Sequence, residues 1–368
     1  MCRGTRASWR RSARRHSGSR CAPFQVSTTA CTRGLSDATS SGPLLDVGIN
    51  AAPLAAARTG VGRYIAGLLD ALAAAKSDNL RARPLFLPGA PARRMRTFIK
   101  RLPFAYSLAE AGRAAVLWRE RPSVYHETNH AAPPFRGPVV VTVHDLSTLL
   151  HPGTQESARA RHFARKLRSL RALAQRVIVP TEAIAREVVE HLGVGPDRVR
   201  VIHHGVDARF TPADVPRERF VLFAGDAGPR KGLATLRAAL PEGVELRIAG
   251  PGHGYVTDDE LVGLYRRAAL LVLPSLYEGF GFPLIEAMAC GTPCIASDDP
   301  ALVEVSGGAA LHFPRIDAGA LRVLLRRVLE GNGTLRAELS GKGLVRARNF
   351  RWDRSAALHV EVYREAAR

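Results

Sequence analysis

The sequence predicts an α/β protein built from two Rossmann-like domains that face each other across a central cleft. Short apolar runs without polar alternation, at 139–143 and 268–274, have the length and composition of strands buried on both faces. Such runs alternate with helix-length amphipathic segments, and the alternation runs through two separate series, one ending near residue 206 and one starting near residue 219. Each series contains a glycine-rich turn leading into a helix, TGVGRY in the first and EGFGFP in the second. A turn of that kind aims free backbone N–H groups at an anion or a hydroxyl.

Residues 1–40 are expected to form a disordered basic extension outside the fold. Residues 1–36 hold eight arginines, no acid and three of the five cysteines (Cys2, Cys21, Cys31), and no apolar stretch follows as a secretory signal would require. An acid-free stretch rich in Arg and Ser also has the composition of an organellar transit peptide.

The first domain, 41–206, opens with an expected strand at 44–49. TGVGRYIAGLLDALAA follows, with Gly60 and Gly62 ahead of a helix over 63–75. Strands are expected at 85–87, 124–126 and 139–143, then a helix over 156–174 and a strand at 177–179. Thr181 is placed to cap a helix over 182–192 that Gly193 ends. RVRVIHHGVDARFTP supplies a strand and the junction to the second domain, 207–352.

That domain repeats the pattern with a strand at 219–225, then PRKGLATLRAAL, VELRIAG and DELVGLYRRAALLVLPS. GPGHG at 250–254 lacks dinucleotide spacing and reads as a loop. The remaining segment, 353–368, holds a helix over 354–365 expected to cross back to the first domain.

The chain has 368 residues, 46% hydrophobic and 23% charged, as a globular protein does, and no apolar run reaches the ~18 residues of a membrane-spanning helix. The net charge is +20. Two basic stretches interleave cations with apolar residues at helical spacing. One is Arg93, Arg94, Arg96, Lys100 and Arg101 with Phe98, Ile99 and Phe104; the other is Arg159 to Arg171 with Phe163, Leu167 and Leu170. Such faces can lie on an anionic membrane surface or simply be solvated. Nucleic acid is not an expected partner, and the expected location is cytoplasmic, with a peripheral position on the inner membrane face. Cys290 and Cys294 have no nearby His or Cys to complete a metal site and read as buried small side chains. Asp258–Asp259 and Asp298–Asp299 are adjacent rather than alternating, so no metal site is expected.

The most informative segment is 274–297, PSLYEGFGFPLIEAMACGTPCIAS. Gly279 and Gly281 allow a sharp backbone turn and close approach to a ligand. Pro283 suits the start of a helix, and Gly291 and Pro293 stop it. Glu286 is expected in the first turn, sharing a cleft with Glu278 from the loop. A carboxylate can accept both hydroxyl protons of a cis-diol.

This segment resembles the donor-site signature of family-four retaining glycosyltransferases, which have the GT-B fold and use nucleotide sugars. The resemblance implies that Glu286 holds the ribose hydroxyls, that Glu278 touches the donor sugar, and that the backbone at Gly281, Phe282 and Pro283 cradles sugar hydroxyls. It further implies that Lys231 of GPRKG pairs with the donor diphosphate, aided by Arg230, and that His144 of VTVHDL contacts the sugar or its phosphate. The Gly60/Gly62 loop would lie across the cleft from the phosphates. His126 and Asn129 of YHETNH are acceptor-side candidates, and Glu304 matches a residue that caps structure. Two departures stand out: Asp226 occupies a place where some relatives carry arginine, and one helix–strand unit is missing after RIAG.

The resemblance thus implies a metal-independent, retaining hexosyltransferase without cofactor. Its substrates would be a nucleotide sugar, with GDP-mannose the best match, and a saccharide or lipid-linked acceptor. The alternatives are a polyanion-binding protein on a weakened GT-B scaffold and a GT-B phosphorylase.

Overall fold

A computed structural model describes residues 43–368 except 56–58, 76–78, 87–104, 130–131, 152, 154–156 and 252–255. The expectations for residues 1–40 and for the basic stretch at 93–104 lie outside the described residues.

Among the described residues, two wholly parallel sheets flanked by helices form the fold. The first contains β1 (Leu45–Asn50), β2 (Leu80–Leu85), β3 (Val124–Glu127), β4 (Val139–Thr142), β5 (Arg176–Val179) and β6 (Val199–Val201), ordered β2-β1-β3-β4-β5-β6. The second contains β7 (Glu218–Ala224), β8 (Glu245–Ala249), β9 (Ala268–Leu273), β10 (Cys294–Ser297) and β11 (Leu311–Phe313), ordered β11-β10-β9-β7-β8. β3, β4, β9 and β10 are buried along their whole length, as strands covered by helices on both faces must be. In the second sheet strand order reverses between β7 and β9, and ligands of open α/β sheets bind at such a switch point.

β2 lies ahead of its expected position at 85–87. It is an edge strand whose LRARPL sequence carries little apolar signal. Arg83 is held there by Asp46 and Glu120, and Pro84 needs no ladder partner at an edge. The first long helix spans Gly60–Ala74 and so takes in both glycines expected to precede it. The Thr59 side chain accepts from Gly62 N–H at 3.2 Å and caps the helix three residues early. The helix Glu182–Leu192 has the expected ends, with the Thr181 cap and Gly193 in the left-handed region at φ 63°.

The last helix, Trp352–Ala367, packs on the first sheet, where Ala356, Val362 and Tyr363 join Val47, Ile49 and Tyr64 in one buried cluster. β8 ends the second sheet, in keeping with the short connection after RIAG. The second sheet and its helices are also pinned to the first. Glu304 accepts from Glu182 N–H at 2.9 Å and Ala183 N–H at 3.1 Å, capping a first-domain helix from the second domain, with His203 also on its Oε1.

Candidate functional site

The loops after β7 and β9 touch at the switch point because one residue between them has no side chain. A Cβ on Gly232 would lie 1.9 Å from the Pro274 carbonyl oxygen, and Gly232 itself is left-handed at φ 68°. Leu276 N–H donates to Arg230 O at 2.8 Å. This closeness delivers Lys231 to Glu278: Nζ donates to Oε1 at 2.6 Å, and Ser275 Oγ donates to the same oxygen at 2.6 Å. Arg230 stands 3.5 Å from Oε2 and donates to Tyr277 O at 2.5 Å. Burial pushes the Glu278 carboxyl up, but Lys231, Arg230 and the two hydrogen bonds outweigh it and hold the group below the usual carboxylate range. The Glu278 N–H in turn donates to Asp299 Oδ2 at 3.3 Å. Asp299 is the cap of the helix Pro300–Ser306, and burial followed by the nearby Glu278 charge pushes it up to about 6.

The signature loop closes against the first domain. Tyr277 donates to Glu187 at 2.5 Å and accepts from Leu146 N–H at 2.8 Å. A Cβ on Gly279 would lie 1.8 Å from the His144 carbonyl oxygen, so only glycine allows this approach. Gly281 is left-handed at φ 91°, where it starts the helix Phe282–Ala289. Phe282 stacks on the His204 ring with centroids 5.2 Å apart and planes 7° from parallel. Gly60 approaches from the other domain, where an added Cβ would meet the Phe282 ring at 3.5 Å. The first-domain glycine turn and the Gly281–Pro283 turn therefore confront each other, although Gly62 N–H is taken by its helix cap.

Glu286 lies in the second turn of its helix, one step beyond the expected first turn. It is 2% exposed. Tyr265 donates to its Oε2 at 3.0 Å, and Arg63 of the first domain donates to its Oε1. Burial outweighs both partners and leaves its carboxyl raised.

His144 is half-buried and donates from Nε2 to Thr128 O at 2.9 Å, which leaves Nδ1 for any ligand. Burial depresses its pKa and keeps the ring neutral. His126 does not face an acceptor. It is fully buried, with Nδ1 on Tyr363 at 2.8 Å and Nε2 on Thr142 at 2.8 Å, and it joins the first sheet to the last helix. A strand-end histidine points to either face, and here the last helix claimed it. Asn129 is half-buried, and its N–H donates to Glu127 Oε1 at 3.0 Å. Asp226 spends its carboxylate on a turn, accepting from Gly228 N–H at 2.8 Å.

Several groups escaped the sequence reading. Arg63 belongs to TGVGRY but carried no role, and Ser275 lies only three residues from Glu278. Glu127, at the end of the strand VYHE, is a buried hub for Asn50, Arg113 and Tyr125. Cys290 and Cys294 are free and buried, and burial raises both thiols, Cys290 to about 12. Among the described residues no cluster of three or more His, Cys, Asp or Glu could hold a metal, and no helix is long and apolar enough to cross a membrane.

Comparison with known proteins matches residues 58–210 to the model of Glycosyltransferase Family 4 and residues 251–343 to that of Glycosyl transferases group 1. The chain is similar to O-antigen chain mannosyltransferase B of Escherichia coli, 26% identical over 74% of this chain and 83% of the relative. It is 32% identical to a D-inositol 3-phosphate glycosyltransferase of Streptomyces bingchenggensis over 65% of this chain and 64% of the relative, a little under two thirds of that protein's length. Among solved structures, sucrose-phosphate synthase of Thermosynechococcus elongatus superposes with a TM-score of 0.68 at 22% identity, covering 87% of this chain and 98% of the other. Anabaena HepE in complex with UDP and glucose superposes with a TM-score of 0.64 at 15% identity, covering 87% and 99%.

Proposed function

The chain belongs to the family-four glycosyltransferases of GT-B fold, and from that premise we propose that it moves a hexose, best matched by mannose, from a nucleotide sugar to a saccharide acceptor with retention of configuration and without a metal. The observation that carries this reading is the convergence of Lys231, Arg230 and Glu278 at the switch point of the second sheet.

In this reading the donor diphosphate lies between Lys231 and the glycine turn containing Gly60. The leaving diphosphate gains negative charge as the bond to the sugar breaks, and the fixed cations Lys231 and Arg230 stabilise that charge. Glu278, held ionised by the same cations, accepts from donor-sugar hydroxyls, while Gly281, Phe282 and Pro283 cradle the sugar. Glu286 takes the ribose diol, and His144 offers Nδ1 to the sugar or phosphate. The acceptor oxygen attacks the anomeric carbon on the face the diphosphate leaves, and its proton passes to the departing phosphate oxygen. Mannose as the sugar draws on the mannosyltransferase relatives. A lipid-linked acceptor, met at an anionic membrane surface, draws on the basic stretches.

A panel of nucleotide sugars tests this reading. Slow hydrolysis of one donor, GDP-mannose first, with the α-sugar released initially in proton NMR is the expected result. Turnover only with inorganic phosphate would identify a phosphorylase instead.

A further inference from the structure

Arg63 sits in the first turn of the helix Gly60–Ala74 and reaches over to the second domain. One guanidinium nitrogen donates to Glu286 Oε1, and the other stands 3.6 Å from Asp258 Oδ1. Tyr265 already holds the second Glu286 oxygen. A carboxylate as buried as Glu286 is costly when unpaired, and Arg63 and Tyr265 satisfy it.

We propose that Arg63 is a latch that holds the ribose carboxylate and is displaced from it by the nucleotide. This rests on the reading of Glu286 as the ribose ligand. Tyr265 is on Oε2 and the guanidinium on Oε1, so in the latch the diol takes the place that the guanidinium holds. Asp258 gives the released guanidinium a second carboxylate within reach. Its other oxygen is bonded to Arg209 at 2.9 Å. Binding affinity for the nucleotide is therefore reduced by the latch, and a ligand with phosphates but no ribose has nothing to displace.

The test is calorimetric titration of the full chain with UDP, GDP and inorganic pyrophosphate, for wild type, Arg63→Ala, Arg63→Lys and Glu286→Ala, with thermal unfolding to verify that each variant is folded. The latch predicts that Arg63→Ala binds the preferred nucleoside diphosphate at least threefold tighter and pyrophosphate no tighter. Arg63→Lys falls between and answers the question if Arg63→Ala does not fold. If Glu286→Ala weakens nucleotide binding but the Arg63 variants do not tighten it, or tighten pyrophosphate equally, the latch is wrong and the ribose reading stands. If Glu286→Ala leaves nucleotide binding unchanged, both fall.

Discussion

Lys231 Nζ stands 2.6 Å from Glu278 Oε1, across a contact that exists because Gly232 lets the loops after β7 and β9 meet. The pair is mostly buried, with side chains 18% and 9% exposed, and in the proposed reaction each member has a separate task toward the donor. Removing one partner of a buried pair is far more damaging than removing both.

Lys231→Ala is expected to lower kcat by about a hundredfold and to raise KM much less, because a leaving group's charge develops only in the transition state. It should also cost about 3 kcal/mol of stability by leaving Glu278 unpaired, and Lys231→Met combined with Glu278→Gln should restore most of that. Steady-state kinetics and denaturant unfolding check both parts. A pure KM effect contradicts leaving-group stabilisation.

Asp299 should make stability depend on pH. Its folded pKa of about 6 exceeds the ordinary value of 3.8, so between those values the folded state binds more protons than the unfolded one. Stability from this group is therefore greatest below pH 4 and declines as pH rises to 6, by up to about 3 kcal/mol in order of magnitude. Asp299→Asn keeps an oxygen for the Ala301 and Leu302 N–H groups but turns an amide toward Glu278 N–H. Between pH 4 and 6 stability should therefore decline less in Asp299→Asn than in the wild type, by up to about 3 kcal/mol; an equal decline in both would assign the effect elsewhere.

The basic stretch at 93–104 is expected to bind membranes. Each cation near an anionic surface contributes about 1 kcal/mol, and salt screens it. Protein lacking residues 1–40 should co-sediment with anionic but not neutral vesicles at low salt. Neutralising Arg93, Arg94, Arg96, Lys100 and Arg101 should abolish most of this without reducing donor hydrolysis. Indifference to anionic vesicles would point to a soluble acceptor.

Much of this architecture was legible because buried parallel strands are continuous apolar runs and helices announce their caps. Thr181 and Gly193 bounded one helix to the residue. β2 was misplaced because an edge strand can carry Arg81, Arg83 and Pro84, and its pairing with β1 is a tertiary fact. The site divided along the same line. Residues of one loop or turn, such as Glu278 and Gly281, declared themselves locally. The Arg63–Glu286 pair joins residues from different domains, and His126 was claimed by Tyr363 from the far end of the chain. Such pairings follow from how the two sheets are mounted, which no local pattern encodes.

The proposed function has the nucleotide held by its ribose at Glu286. Calorimetric titration of wild type and Glu286→Ala with the preferred nucleoside diphosphate measures it most directly. Hydrogen bonds to a charged group are worth about 1.5–3 kcal/mol each, so affinity should fall at least tenfold in a variant whose thermal unfolding stays cooperative. Undiminished affinity in that folded variant would contradict the account.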